Sequence, residues 1–282
     1  MKKFLWNYKR ARRDGYGARF LWRSFLHHTR LSSLITFDRK GIKMYCHSDP
    51  FSFWLWNHTE ELRDDERFFE RFLRAGDTVI DAGANIGLLT LRAAKIVGEN
   101  GSVISMEPHP ETFQWLEKNI FLNNFSNIVT YNVAVGHKEQ IVSFTNFKIK
   151  DINKISEIEG TLSLPMKTLD VLCADVKHCD LLKIDVEGFE LPALFGAEEL
   201  LKRTNVVMFE SSPRNFALQN YSLQDIFRYF SLQGFLVFKI ADDFTVEEVP
   251  ANYETVQKYE NLFATKDQKF LEDRLALVSD IM

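Results

Sequence analysis

The stretch Asp77-Thr-Val-Ile-Asp81-Ala-Gly83-Ala-Asn85-Ile-Gly87-Leu-Leu-Thr90 decides the fold of this chain. Residues 78–81 predict a short buried strand, a glycine turn follows, and an apolar helix begins near Ile86. This order sets the N–H groups of a helix start at the carboxyl end of a strand. Open α/β sheets bind their ligands at that point. The stretch therefore predicts a ligand site at residues 83–87.

The alternation of strands and helices continues along the rest of the chain. Further strands are predicted at 102–106, 128–132, 180–184, 205–209, 235–240 and 260–264. At least five strand-to-helix units in one run favour a single doubly wound α/β sheet. The loops after its parallel strands lie at one edge of the sheet. Those loops carry Gly83, Glu107, Asn132, Asp185 and Glu210, so we expect these residues to converge.

The composition is typical of a globular protein, with 282 residues and 45% apolar content. This length suits one large α/β domain with an appendage. Cys46, Cys173 and Cys179 are too few and too irregularly spaced for a disulfide framework or a zinc site, so we expect free thiols in a reducing compartment. No apolar run resembles a membrane span or a secretory signal. We therefore expect a cytoplasmic protein.

Residues 1–60 are predicted to form an extension in front of a domain at 61–282. Residues 1–30 interleave aromatic residues with nine Lys or Arg and one acid, a charge of +8 in a chain whose net charge is −4. This arm either attaches to an anionic surface, such as the inner membrane surface or an acidic partner, or packs its aromatic side chains on the core. The remaining −12 argues against a nucleic-acid partner.

Three local patterns flank or interrupt the strand–helix alternation. Two apolar runs around Asp38-Arg-Lys-Gly41 predict a hairpin at 33–48. Thr59 can cap the helix that follows, whose apolar positions extend to Leu73. Residues 140–165 break the alternation and predict an inserted hairpin or flap.

The glycine turn does not match the G-x-G-x-x-G pattern that binds a dinucleotide. Asn85 replaces the middle glycine, so a pyrophosphate would meet a side chain. An amino-acid group needs less room. Gly83 and Ala84 leave space for such a group, and Asp81 can lie close to its ammonium.

Glu107 adds a second signal, because it follows the second strand of the predicted sheet. A ribose would lie there, and a carboxylate can accept hydrogen bonds from both of its hydroxyls. With Pro108 and the glycine turn, this position indicates adenosine joined to an amino-acid tail, which is S-adenosylmethionine. The third strand end, Asn132-Val133-Ala134, is predicted to flank the adenine.

A cluster of acids follows the strand at 180–184. Asp185 ends that strand, and Glu187 and Glu190 follow it within one turn. Carboxylates so close together repel, which raises the pKa of at least one. This suits a general base for a hydroxyl nucleophile, and it also suits a magnesium ion, although the spacing does not require one. The alternative is a set of helix-start acids stabilised by the helix dipole.

The stretches Val79-Ile-Asp-Ala-Gly-Ala-Asn-Ile-Gly87, Glu107-Pro108, Leu182-Lys-Ile-Asp-Val-Glu-Gly-Phe-Glu190 and Gly196-Ala197 resemble the FkbM family of S-adenosylmethionine-dependent methyltransferases. The resemblance covers about residues 76–240. It implies a Rossmann-like, mostly parallel class I sheet of seven strands with one antiparallel strand. It also implies methyl transfer, commonly to a hydroxyl of a sugar, glycan, glycolipid or small natural product.

The resemblance also implies roles for individual residues. Gly83 and Glu107 correspond to cofactor-binding positions, and Asp185 with Glu187 to the active edge. Independently of the resemblance, Glu210, which ends the next strand, is expected to orient the acceptor as a third catalytic candidate. Substrate choice is expected to reside before residue 60 and in the insert at 140–165, which the resemblance does not cover.

Two other function classes use similar features. A nicotinamide-dependent oxidoreductase or epimerase has a similar sheet, but the broken glycine pattern and the absence of a Tyr-x-x-x-Lys pair disfavour it. A non-catalytic membrane-surface binding module would explain the basic arm, but it would leave the acidic positions without a role.

Overall fold

The computed structural model describes residues 5, 8–9, 12–13, 17–29, 31–47, 49–146, 153–156, 161–255 and 257–276. The helices are α1 (Gly17–His28), α2 (Pro50–Asn57), α3 (Asp64–Phe72), α4 (Leu88–Val97), α5 (Pro110–Asn123), α6 (Leu169–Leu172), α7 (Glu190–Phe195), α8 (Glu198–Leu201), α9 (Pro213–Leu218), α10 (Leu223–Leu232) and α11 (Gln268–Leu275). The strands are β1 (Thr36–Arg39), β2 (Ile42–Tyr45), β3 (Thr78–Ala82), β4 (Ser102–Met106), β5 (Ile128–Tyr131), β6 (Ala134–Val135), β7 (Gln140–Phe144), β8 (Leu162–Lys167), β9 (Cys179–Ile184), β10 (Thr204–Ser211), β11 (Leu236–Ile240), β12 (Val246–Glu248) and β13 (Glu260–Thr265). Among the described helices, none is both long and apolar enough to cross a bilayer.

The central sheet has the strand order β12-β11-β13-β10-β9-β3-β4-β5, which confirms the predicted α/β class. Strands β5, β4, β3, β9 and β10 are parallel, and β13 lies antiparallel between β10 and β11. The predicted number of seven strands is wrong, because β12 adds an eighth, antiparallel to β11. Its sequence, Val246-Glu-Glu248, is too short and polar to predict a strand, and its pairing with β11 alone forms it.

Both faces of the central sheet are buried, which explains the nearly continuous apolar strands. In β9, Leu182 packs on one core cluster with α7, α8 and α10, while Leu181 packs on the other with α3, α4 and α11. In β3, Ile80 and Val79 divide between the same two clusters. This alternation fixes which strand-end side chains point together at the carboxyl edge.

The predicted hairpin forms from β1 and β2, with left-handed Lys40 and Gly41 in the turn. Buried Arg39 pairs with buried Glu66 and also donates to the carbonyl oxygens of His58 and Glu61. Those carbonyls are therefore not used in a helix. The prediction that Thr59 caps the next helix is wrong, because α3 begins only at Asp64.

The insert at 140–165 forms a hairpin in its described part. Strands β7 and β8 pair antiparallel from Gln140 with Met166 to Phe144 with Leu162, and β6 lies beside β8. Residues 147–152 and 157–160 of the predicted flap lie outside the described residues. The resulting small sheet stands next to the carboxyl edge of the central sheet.

At the amino ends of the parallel strands, opposite the carboxyl edge, helix α11 binds the central sheet through an arginine. Arg274 of α11 donates to Asp77 at 2.7 and 3.1 Å and to Asp180 at 3.4 Å. Asp77 directly precedes β3, and Asp180 is the second residue of β9. The predicted terminal helix at 271–281 is therefore observed at 268–275, and the remainder lies outside the described residues.

Candidate functional site

The glycine turn brings the loops after β3 and β9 into contact. Gly83, Asn85 and Gly87 have φ values of +85°, +50° and +92°, a left-handed conformation that glycine and asparagine tolerate best. A Cβ atom on Gly83 would lie 1.8 Å from the backbone oxygen of Asp185. Glycine at this position is therefore required for the two loops to approach each other.

A cavity of about 650 Å³ opens at this carboxyl edge, a volume typical of small-molecule sites. The predicted site residues that line it are Gly83, Ala84, Asn85, Glu107, Pro108, Val133, Ala134, Asp185, Glu187 and Glu210. Parallel pairing explains this convergence, because each residue comes at or just after the end of a strand. Asp81 and Asn132, also predicted, do not line the cavity.

Glu107 is a buried carboxylate that faces the cavity. Its Oε2 accepts from the N–H of Asn85 at 3.0 Å, and its Oε1 accepts from the N–H of His109 at 2.8 Å. Burial raises the pKa of Glu107 to about 7, and these two backbone donors oppose the shift. Each oxygen retains acceptor capacity, so the carboxylate can receive two further hydroxyl groups.

Asn132 shapes the loop behind Glu107. Its Nδ2 donates to the carbonyl oxygens of Glu107 at 2.8 Å and Pro108 at 3.0 Å. The expectation of a direct adenine contact from Asn132 is thus corrected, because this side chain is used within the protein. Val133 and Ala134, the next two residues, do line the cavity.

Asp81 lies beneath the cavity floor, fully buried. Its Oδ2 accepts from the hydroxyl of Thr90 at 2.6 Å, and its Oδ1 lies 3.1 Å from Nζ of Lys183. The expectation that Asp81 meets a ligand ammonium is therefore corrected. The ammonium that Asp81 meets is the protein's own Lys183.

Lys183 is the main site residue that sequence reasoning missed. Its Nζ donates to the carbonyl oxygen of Gly83 at 2.8 Å and lies 3.5 Å from Oδ2 of Asp185. Burial lowers the pKa of Lys183, but Asp81 and Asp185 together raise it above its usual value. A lysine directly between the buried apolar residues Leu182 and Ile184 of β9 was the signal that could have revealed it.

Three carboxylates meet where β9 and β10 end. One oxygen each from Asp185, Glu187 and Glu210 lies within 4.8 Å of the others, a separation that one cation could bridge. Burial, followed by the charges of Asp185, Glu187 and Glu190, raises the pKa of Glu210 to about 9. Glu210 is therefore protonated at neutral pH and can donate a hydrogen bond.

The backbone after β9 aims Glu187 at this cluster. Glu187 is left-handed at φ +54°, and its Oε2 accepts from Nδ2 of Asn215 at 3.0 Å. Glu190 is fully buried and accepts from the N–H groups of Val186 and Gly188 at 3.0 and 3.2 Å. Glu190 therefore fixes the loop that presents Asp185 and Glu187.

Further cavity residues come partly from the two regions expected to govern substrate choice, before residue 60 and at 140–165, and partly from outside them. The region before residue 60 supplies Phe51, and the insert supplies Phe144 and residues 153–155. Arg63 and Asp65 come from the start of α3, Ser212 from the turn after β10, Arg214 and Asn215 from α9, and Lys258 and Tyr259 from the loop before β13. Short polar segments of this kind carry no pattern that marks them as site residues in the sequence.

These residues fit S-adenosylmethionine. The buried Glu107 carboxylate suits a ribose, the side chains of Val133 and Ala134 suit an adenine face, and the glycine turn leaves room for the amino-acid part. Lys183 supplies a cation beneath that part, where a ligand carboxylate would be stabilised.

Comparison with known proteins agrees with this assignment. Residues 81–237, a little over half of the chain, match the profile of the Methyltransferase FkbM domain. Methyltransferase 1 of Beauveria bassiana (strain ARSEF 2860) is 24% identical over 146 residues, which cover 43% of this chain and 58% of that protein. The hexuronic acid methyltransferase AglP of Haloferax volcanii is 28% identical over 138 residues, covering 48% of this chain and 55% of that protein. The chain thus spans a little over half of the length of these relatives.

Solved methyltransferase structures match this chain at low identity and with TM-scores below 0.5. The methyltransferase FkbM of Methylobacillus flagellatus KT gives a TM-score of 0.45 at 13% identity and covers 76% of this chain and 53% of that one. A SAM-dependent O-methyltransferase of Thermotoga maritima gives 0.43 at 14%, covering 82% and 77%. The profile match confirms the resemblance read from the sequence: this chain belongs to the FkbM family of S-adenosylmethionine-dependent methyltransferases.

Proposed function

We propose that this protein transfers a methyl group from S-adenosylmethionine to a hydroxyl group of a sugar, a glycan or a small natural product. The observation that carries this proposal is the carboxylate cluster of Asp185, Glu187 and Glu210 beside the glycine turn. A hydroxyl nucleophile needs a proton acceptor, and this cluster combines charged carboxylates with a protonated one.

Asp185, Glu210 and Glu187 have separate roles in the proposed reaction. Lys183 holds Oδ2 of Asp185 at 3.5 Å, which leaves Oδ1 to accept the proton of the acceptor hydroxyl. Protonated Glu210 donates a hydrogen bond that orients the acceptor, and Glu187, held by Asn215, is the second candidate base. The cofactor, when bound, supplies an activated methyl group on a sulfonium, so the remaining task is in-line alignment.

The cavity also favours an acidic acceptor. Lys154, Arg214 and Lys258 line it, and no carboxylate of the described part of the chain pairs with any of them. A carboxylate or phosphate on the acceptor would be attracted to these three cations. The name of the relative AglP, a hexuronic acid methyltransferase, supports the same class of acceptor. A uronic acid glycoside is therefore the first acceptor to test.

The test uses methyl-labelled cofactor with p-nitrophenyl glucuronide and p-nitrophenyl glucoside as acceptors. We expect transfer to the glucuronide in preference to the glucoside, and a loss of about a hundredfold or more for Asp185→Asn. Exposed Glu99→Gln is the matched control and should keep full activity. Full activity of Asp185→Asn would refute the role of Asp185 as the base. Equal use of both glycosides would refute the preference for an acidic acceptor.

Cofactor binding is measured separately by calorimetry. Glu107→Gln should bind S-adenosylmethionine about ten- to a hundredfold more weakly, since it loses a charge-assisted acceptor for two hydroxyls. Unchanged affinity would refute the ribose role of Glu107. Preferential binding of NAD over S-adenosylmethionine by the wild-type protein would favour the oxidoreductase instead.

A further inference from the structure

Helix α1 presents an apolar face to solvent. Leu21, Trp22 and Phe25 are 41%, 61% and 55% exposed, and the rings of Trp22 and Phe25 stack with centroids 6.0 Å apart. Large apolar side chains exposed together, rather than singly, mark an interaction surface.

The opposite face of α1 anchors the helix to the protein. Phe20 is buried against Phe53 of α2 with ring centroids 6.2 Å apart. The guanidinium of Arg23 lies 4.5 Å from the ring centroid of Trp56 and donates to its carbonyl oxygen. The exposed face of α1 is therefore held in a defined position and is not available to fold back onto the core.

The apolar surface continues past the helix. In the 3-10 turn Leu31–Leu34, both leucines are exposed, Leu31 at 47% and Leu34 at 78%. We call Leu21, Trp22, Phe25, Leu31 and Leu34 the α1 surface. Five large apolar side chains within fourteen residues exceed the scattered exposure that is normal for a protein surface.

The charge around the α1 surface identifies its partner. Residues 1–30 carry nine Lys or Arg and one acid, and Arg12 and Arg13 are exposed. A homodimer through this face would bring together two segments 1–30, each with a net charge of +8. The repulsion between them disfavours such a dimer. Trp, Phe and Leu on an anchored helix that follows the exposed cations Lys9, Arg12 and Arg13 in the chain match the interface of a bilayer that contains anionic lipids.

We propose that the α1 surface docks on an anionic lipid bilayer, with its apolar side chains at the boundary of headgroups and acyl chains and the basic arm over the anionic headgroups. Helix α2 connects this surface to the cavity, because Phe53 and Trp56 hold α1 while Phe51 lines the cavity. An eight-residue helix is about 12 Å long, so docking holds the cavity close to the membrane.

The test is sedimentation of the full-length protein with vesicles of phosphatidylcholine alone or mixed with phosphatidylglycerol. We expect binding to the mixed vesicles only, weakened by salt. Trp22→Ser should reduce binding about tenfold, since it removes a large apolar group from the bilayer interface. Leu232→Ser, the same kind of change at a 79% exposed leucine of α10, is the matched control and should bind as wild type.

A second variant tests the electrostatic part without altering the apolar face. Arg12→Glu, at an exposed arginine before α1, should weaken binding to the mixed vesicles and leave thermal stability and cofactor affinity unchanged. Wild-type binding by both this variant and Trp22→Ser would overturn the proposal. So would a wild-type dimer in light scattering that Trp22→Ser converts to a monomer, since a second copy would then be the occupant.

Discussion

Replacing Glu210 by Gln should make this protein more stable at neutral and alkaline pH. Burial and three neighbouring acids raise the pKa of Glu210 from 4.5 to about 9. Between these two pKa values the folded protein keeps the Glu210 proton, whereas the unfolded chain releases it. The stability that Glu210 contributes is therefore complete below pH 4.5 and is lost as the pH rises to about 9. Gln mimics the protonated form and removes that loss.

The size of the effect follows from the interval between the two pKa values. At pH 7 the interval from 4.5 is 2.5 pH units, and at 1.36 kcal/mol per unit the upper bound is about 3 kcal/mol. Glu210 is only partly buried, and solvent screening reduces the expected gain to about 1–2 kcal/mol. In a domain of this size that corresponds to a few degrees in Tm.

The assay is thermal unfolding from pH 5 to pH 8.5, without cofactor and in EDTA, so that no cation neutralises the cluster. The difference in Tm between Glu210→Gln and wild type should be small at pH 5 and grow with pH. Exposed Glu99→Gln should show no such trend. Parallel curves for Glu210→Gln and wild type, or a variant that is less stable at pH 8, would refute the reasoning.

Three further substitutions test the packing around the site by urea unfolding. Gly83→Ala should lower the free energy of unfolding by more than about 3 kcal/mol, because its Cβ would lie 1.8 Å from a backbone oxygen. Gly76→Ala is the control: Gly76 is also left-handed but lies in open space, so the loss should be about 1 kcal/mol. Equal losses would contradict the contact between the two loops. Lys183→Met should cost about 3–5 kcal/mol because it leaves Asp81 charged and buried, and a neutral effect would contradict that ion pair. Glu66→Gln should cost a similar amount, because it leaves buried Arg39 without a carboxylate partner and buried Arg92 with Glu70 as its remaining carboxylate. It should also speed protease cleavage of the extension, and unchanged cleavage would contradict this network.

The sequence predicted most of the site because parallel strands present their ends at one edge. Gly83, Glu107, Asp185 and Glu210 each follow a run of buried apolar residues, so their convergence needs only the topology and not the details of packing. The family resemblance then supplied the ligand class. The strand ends and the family motifs are both short, local patterns, so they can be recognised in a single sequence.

The errors came from contacts that join distant parts of the chain. Asp81 pairs in register with Lys183 across β3 and β9, and this pairing turns a predicted ligand contact into an internal ion pair. Arg39 captures the carbonyls of His58 and Glu61 and so displaces the start of α3. Neither effect has a periodicity or a spacing that could be read from one segment alone.

The position of β13 has a consequence for how the chain folds during synthesis. Strand β11 ends at Ile240, but β13, which must enter between β10 and β11, begins only at Glu260. A nascent chain that has reached Ile240 therefore holds β10 with one edge unpaired, and such an edge invites aggregation. The sheet closes only after β13, which ends at Thr265, has left the ribosome. A fragment that ends at Ile240, before β13, is consequently expected to need that strand supplied in trans before its sheet closes.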